Sequence, residues 1–229
     1  MSAPQHKGQR AAVQPPALPA EPELLTGSEA ALLLYRFAGS DDPVEELHLK
    51  NADLSGEDLE GLTLRRCTLE NCRFHNAVLV KASFTDCVLK NCDFSGAKLL
   101  ESYFCRCKLQ TCKGLGANFA EARLFDLTAA DCQLRYACFD RAKWDRVRLE
   151  RCSLAEAMLT DLVLKRTELA DTDLTAASLQ GTMLKGIDLT GCTLTGNSYG
   201  EALRELRGAI VSPVQAVELA KLLGVVVRD

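Results

Sequence analysis

The chain has 229 residues, of which 47% are hydrophobic but only 6% aromatic, and its formal net charge is −4. No run of roughly 18 apolar residues occurs, which excludes a membrane-spanning helix. The stretch from Met1 to Pro22 lacks the continuous apolar core of a secretory signal, so a cytoplasmic protein without membrane attachment is expected.

Residues 1–22 hold five of the seven prolines, with Gln, Ala and a few basic residues, and are expected to form a disordered leader. Residues 23–46 are expected to form an N-terminal capping segment. Thr26 or Ser28 caps a short helix from about Glu29 to Phe37, whose residues Ala31, Leu33, Leu34 and Phe37 make one buried stripe, and Gly39 to Pro43 ends it.

From Leu47 to Gly196 one register of fives holds without insertion. Its centres run Leu49, Leu54, Leu59, Leu64, Leu69, Phe74 and onward to Leu194; 21 of the 30 are Leu, six are Phe and one is Trp144. Two residues before each centre lies a second restricted position, which is Ala, Cys, Ser or Thr in 23 cases, as at Ala52, Cys67, Cys72 and Ala77. Neither a helix nor an ordinary strand has a period of five, so the stretch reads as a solenoid whose units bury their apolar faces against one another. Residue types also sort at a spacing of 20, as in Cys72, Cys92, Cys112, Cys132 and Cys152, or Ala77, Ala97 and Ala117. Four fives per turn stack each such series on one side of a square coil, about 7.5 coils in all. Phe74 then stacks on Phe94, Phe84 on Phe104 and Phe119 on Phe139. Two centres break the rule, Gly114 beside Leu115 and Ala129 beside the larger Leu127; the expectation is local repacking in which the larger neighbour fills the space, the alternative being a local bulge that shapes a binding surface.

Eleven cysteines invite a metal or redox reading, but nine of them occupy the small inward position (Cys67, Cys72, Cys87, Cys92, Cys107, Cys112, Cys132, Cys152 and Cys192). Their spacings are not those of zinc ligands, and no histidines cluster near them, so buried structural thiols are expected, with no metal site and no cofactor. Cys105 and Cys138 are expected to point outward and react. His6 lies in the leader, and His48 and His75 face outward on the coils. No phosphate loop, activated nucleophile or paired acid and base appears, so the chain has no expected catalytic residue and reads as a non-enzyme.

Residues 197–229 leave the register. Ser212, Pro213 and Gln215 form a helix start, with the helix running from about Pro213 to Leu223 and ending at Gly224, and Val225 to Val227 read as a short strand. Together with Ile210, Val214, Val217, Leu219, Leu222 and Leu223, Val225 and Val227 offer more apolar surface than one coil end covers, which points to a homodimer interface or a capping tail.

Fives such as Ala52-Asp53-Leu54-Ser55-Gly56 and Cys92-Asp93-Phe94-Ser95-Gly96 resemble the unit of the pentapeptide-repeat proteins. The resemblance implies an all-β fold, a right-handed quadrilateral parallel β-helix, here flanked by short N- and C-terminal helices. The tail from Leu206-Arg207-Gly208-Ala209-Ile210 to Val227 is similar to that of the quinolone-resistance (Qnr-type) and albicidin-resistance members. That likeness implies an end-to-end homodimer that binds DNA gyrase or topoisomerase IV, without sequence-specific nucleic-acid binding of its own, and protects the enzyme from a poison as a DNA mimic in resistance or immunity. The surface departs from simple mimicry. The side centred on Leu59, Leu79 and Leu99 carries Glu57, Asp58, Glu60, Glu101, Glu121, Asp140 and Asp161 against three bases. The next side carries nine bases against three acids, and residues 47–196 hold 20 acids and 20 bases. Candidate partner-facing residues are thus the acidic Asp58, Glu60, Glu101, Glu121, Asp140 and Asp161, and an apolar patch of Val78, Val80, Leu100 and Tyr103. The alternative reading is a scaffold or regulatory repeat protein with an unrelated protein partner.

Overall fold

A computed structural model describes residues 12–228. Strand β1 (Glu23–Thr26) leads directly into helix α1 (Gly27–Phe37), and the chain then winds into a right-handed, four-sided parallel β-helix of about seven coils. Two of the four sides carry regular strands. One side holds β2 (Val44–Glu45), β4 (Thr63–Arg65) and β6 (Ser83–Thr85); its neighbour holds β3 (Leu47–Lys50), β5 (Thr68–Glu70) and β7 (Val88–Lys90). In the middle coils the ladder continues past the corner between these sides, so β8 (Tyr103–Gln110), β9 (Arg123–Ala130) and β10 (Lys143–Glu150) run across both. Beyond them the strands shorten again, to β11 (Val163–Lys165) and β12 (Glu168–Ala170). The other two sides are held by single parallel bridges, such as Asp53 with Arg73 and Val78 with Lys98.

Each coil-to-coil pair is offset by 20 residues, as with Leu64 and Phe84, Phe84 and Phe104, and Phe104 and Leu124. The five-residue register is therefore physical: four sides, one five per side. Centres and small residues point inward and form one continuous core from Ala30 to Cys192. Within it the rings of Phe74 and Phe94, Phe84 and Phe104, and Phe119 and Phe139 stack at 4.8, 4.6 and 4.8 Å. The preference for Cys, Ser and Thr at the small position has a local cause. The Sγ of Cys67, Cys72 and Cys107 reaches the carbonyl of Val44, Leu49 and Phe84 at 3.5, 3.5 and 3.3 Å, so a weak donor meets a buried acceptor on the coil below.

The corners turn through left-handed backbone. Asn51, Asn71, Asp86, Asn91, Asp126 and Asp131, two residues after their centres, all have φ between 50 and 55°. That region suits Gly, Asn and Asp and penalises other side chains. Enrichment of Gly, Asn and Asp at this position was a readable signal for the corner.

Several expectations are corrected. Leu115 does not replace the missing centre at Gly114: it is 50% exposed, and the space beside Gly114 is taken by Leu134 from the next coil, whose Cδ2 lies 2.8 Å from where a Cβ would sit. The other irregular five behaves as expected, Leu127 being buried beside Ala129. Val225 to Val227 form no strand: they pair with no other described segment and stay exposed. Helix α2 (Pro213–Lys221) begins at the expected capping box, with Ser212 accepting from the Gln215 amide, and stops two residues earlier than expected. The leader is also corrected in part. Residues 1–11 lie outside the described chain, but 12–22 run extended along the rod, the Gln14 amide donating to Asp126 at 3.1 Å and the Ala17 amide to Asp86 at 3.0 Å.

Candidate functional site

With the interior filled by apolar side chains, chemistry is left to the outer faces, corners and ends. Among the described residues no group of three or more His, Cys, Asp or Glu is arranged to hold a metal, and no helix is long and apolar enough to cross a membrane. The nine inward cysteines are all buried, and burial pushes the thiol of Cys67 up to about 12 and that of Cys192 to about 11. Of the two cysteines expected to face solvent, Cys138 is half-buried. Cys105 is buried, which corrects its expected reactivity. His48 shares Glu70 with Lys50, at 3.1 and 3.0 Å.

The expected acidic residues fall on one side of the rod but in two groups, since the coil between Glu60 and Glu101 places Val80 and Lys81 there. Asp58, Glu60, Glu101, Glu121 and Asp161 are exposed and Asp140 is half-buried. The side is not uniformly negative, because Arg141 enters the same corner and pairs with Glu121 at 2.8 Å. The apolar patch is split. Val78, Val80 and Leu100 lie half-buried on one side, while Tyr103 sits around the corner at Glu101 and packs on Phe125 with ring centroids 5.8 Å apart.

The strongest electrostatic feature lies at the corner crossed by β8, β9 and β10. Successive coils place Glu46, Arg66, Asp86, Arg106, Asp126 and Arg146 there, alternating in sign. Arg66 pairs with Glu46. Arg106 grips Asp86 with both arms, Nε to Oδ1 at 2.7 Å and Nη2 to Oδ2 at 2.6 Å. Arg146 grips Asp126 likewise, both contacts at 2.6 Å. The Arg106 guanidinium holds the Asp86 carboxyl below its usual range, and Arg146 does the same to Asp126. These are the two most buried acids of the solenoid, 7% and 4% exposed, and each also accepts a backbone amide from residues 12–22. The expectation from column charges placed nine bases on this side; Arg65 and the corner arginines Arg66, Arg106, Arg146 and Arg166 are paired with acids, leaving Arg123, Lys143, Lys165 and Lys185 along the adjoining face.

The C-terminal end is built differently. Gln215 of α2 donates its Nε2 to the carbonyls of Leu189 and Cys192, both at 2.7 Å, and so closes the last coil. Beyond that contact α2 buries no residue. Ile210, Val214, Val217, Leu222, Leu223, Val225 and Val227, all expected interface residues, are exposed, Val214 by 76% and Leu223 by 71%. Leu219 is half-buried.

A rod of stacked fives, four to a coil, with polar corners belongs to the class of β-solenoids. Comparison with known families is in accord. A pentapeptide repeat region matches residues 82–159, and pentapeptide repeats match 46–86 and 158–196. The matches run unbroken over about two thirds of the chain, which belongs to the pentapeptide-repeat family. No curated protein matches the sequence. Among solved structures, trypsin-treated QnrB1, a plasmid-mediated fluoroquinolone resistance protein, is 22% identical over 90% of this chain and 98% of that one, with a TM-score of 0.45. HetL of Nostoc sp. strain PCC 7120, a pentapeptide-repeat protein involved in heterocyst differentiation regulation, is 24% identical over 82% and 97%, with a TM-score of 0.36. A pentapeptide-repeat protein of the Arabidopsis thaliana thylakoid lumen is 22% identical over 74% and 75%, at 0.22.

Proposed function

We propose that this chain is a non-enzymatic binding protein, a homodimeric rod that associates with DNA gyrase or topoisomerase IV in the cytoplasm and protects it from a poison such as a quinolone or albicidin. The observation that carries the dimeric rod is the uncovered C-terminal end, where Val214, Leu223 and Val226 are exposed by 76, 71 and 80% around a helix that buries nothing. The topoisomerase as partner is supported by the likeness of the tail, Leu206 to Val227, to the Qnr-type members. Mimicry of DNA is partial in this reading. Duplex DNA carries about one negative charge per 1.7 Å, whereas this solenoid balances 20 acids with 20 bases. The acidic side with Asp58, Glu60, Glu101, Glu121, Asp140 and Asp161 faces the enzyme's DNA-binding surface, and the split apolar patch of Val78, Val80, Leu100 and Tyr103 adds contact area.

The neutral solenoid favours a second reading, a scaffold or regulatory protein whose partner is not a DNA enzyme. The two separate in one experiment: purified protein titrated into gyrase supercoiling and quinolone-stabilised cleavage assays. Relief of drug-induced cleavage at micromolar protein is expected; no relief, with binding to gyrase also absent, removes the first reading and leaves the second.

A further inference from the structure

We propose that the alternating-charge corner of the solenoid is a binding site for a polyproline-II peptide backbone, and that residues 12–22 of this chain fill it in cis. Four observations converge. Residues 12–22 form no helix or strand, and along them Val13, Pro16, Pro19 and Pro22 are half-buried while the intervening residues are exposed. Burial at every third residue is the period of a polyproline-II helix, which has three residues per turn and no internal hydrogen bonds. The amides that reach the rod are likewise three apart, Gln14 to Asp126 and Ala17 to Asp86. Asp86 and Asp126 are 40 residues apart, two coils of 20. Two coils rise about 9.6 Å at the spacing of neighbouring strands, and three polyproline-II residues rise about 9.3 Å. Extended peptide and rod corner are thus commensurate.

The same step accounts for both ends of the strap. Continued towards the first coil, it sets Ala20 level with Glu46 and delivers Pro22 one coil further, where β1 begins its parallel pairing of Glu23 with Leu47. The acceptors are prepared for this ligand. Asp86 and Asp126 are each fixed by a two-armed arginine, which leaves a lone pair of Oδ1 to receive an amide that a polyproline-II chain cannot satisfy internally. Between the two anchors the strap passes over the coil that carries Cys105 and Arg106. The register turns Cys105 outward, yet it is buried: Arg106 Nη1 donates to its Sγ at 3.4 Å, and the strap crosses the same coil. The strap therefore shields Cys105 and the neighbouring Tyr103–Phe125 face. A proline-rich segment with an apolar residue at every third position competes for the same corner.

The test keeps the full-length chain. Substituting Val13→Asp, Pro16→Asp and Pro19→Asp together releases the strap without touching the core, which contains no residue before Leu25 among those described. A fluorescently labelled synthetic peptide of residues 12–22 is then titrated in. It is expected to bind the released variant saturably. It should bind the unmodified chain at least about tenfold more weakly, because a tethered strap competes at an effective concentration of about millimolar. Asp86→Gly with Asp126→Gly, which keeps the left-handed corner and removes both acceptors, should abolish binding in the released background. Independently, the triple variant should label Cys105 with a maleimide faster than the unmodified chain, read by peptide mass mapping with Cys138 as the internal control. Equal peptide binding to both forms, or no binding to either, overturns the site; an unchanged Cys105 rate overturns the shielding.

Discussion

The left-handed corner residue is where single side chains matter most. On one corner Asn51, Asn71 and Asn91 form a ladder, Asn91 donating to Asn71 at 2.8 Å and Asn71 to Asn51 at 3.3 Å. The next coil places Thr111 at the same corner, a β-branched residue at φ 54°. A branched side chain in that region is strained, whereas Asn tolerates it and would extend the ladder by one rung. Thr111→Asn is therefore expected to stabilise the protein by about 1 kcal/mol. In a chain of this size that is a rise of about 2–4 °C in midpoint, read by thermal denaturation. The inward half of this residue-scale pattern was legible from sequence, because centres and small positions are nearly invariant in type. The corner was less legible: arginines, glutamates and Thr111 stand there alongside Gly, Asn and Asp, and the cross-coil pairs that hold charged residues there, such as Arg106 with Asp86 and Arg141 with Glu121, exist only after folding. Leu115 was misjudged for a similar reason. The space beside Gly114 is filled from the next coil by Leu134, 20 residues away, and not by a chain neighbour.

At the scale of elements, the strap was invisible in the sequence. A proline-rich, alanine-rich segment has the composition of a disordered leader, and its ordering depends on a corner assembled from residues 40 apart in the chain. That corner also sets an acid limit. Asp86 and Asp126 have carboxyls held below the usual value of 3.8 by Arg106 and Arg146, with Arg66 adding to the effect at Asp86. A depressed carboxyl contributes stability that is complete above its unfolded value and is lost as pH falls through the lower folded one. The corner is thus expected to hold at neutral pH and to weaken below about 4. Hydrogen exchange of the Gln14 and Ala17 amides, followed from neutral pH into acid and corrected for intrinsic rates, reads this directly. Protection that falls only below about pH 4 is the expected course; protection already lost near pH 6 contradicts it. The surface pairs elsewhere, such as Arg73 with Asp53, are about half-exposed and contribute little by comparison.

At the scale of the whole molecule, the rod has two unlike ends. The first coil is covered by β1 and α1, and Ala30 and Leu34 of that helix are fully buried. The last coil is covered by residues 199–211, whose Glu205, Gly208 and Ile210 carbonyls accept from the amides of Leu184, Gly186 and Leu189, and by Gln215, while the apolar tail beyond is left to solvent. The tail's excess of apolar residues was readable from composition, but what would cover it was not, since a symmetric partner would leave no mark in a single chain's register. Deleting everything from Val211 onward tests the dimer crudely, because it also removes the Gln215 cap and opens the last coil. Point substitutions are cleaner. Leu223 and Val226 lie outside the core cluster and are 71% and 80% exposed, so Leu223→Asp with Val226→Asp is expected to leave the monomer's fold and its thermal midpoint nearly unchanged. If these side chains are buried in a dimer, each contributes about 1.5–3 kcal/mol there. Two-fold symmetry counts each of them twice. The double substitution is then expected to raise the dimer dissociation constant by at least about a hundredfold, the equivalent of about 2.7 kcal/mol, as measured by sedimentation equilibrium. An unmodified chain that sediments as a monomer at micromolar concentration would remove the dimer, and a doubly substituted chain that remains as tightly dimeric would place its interface elsewhere.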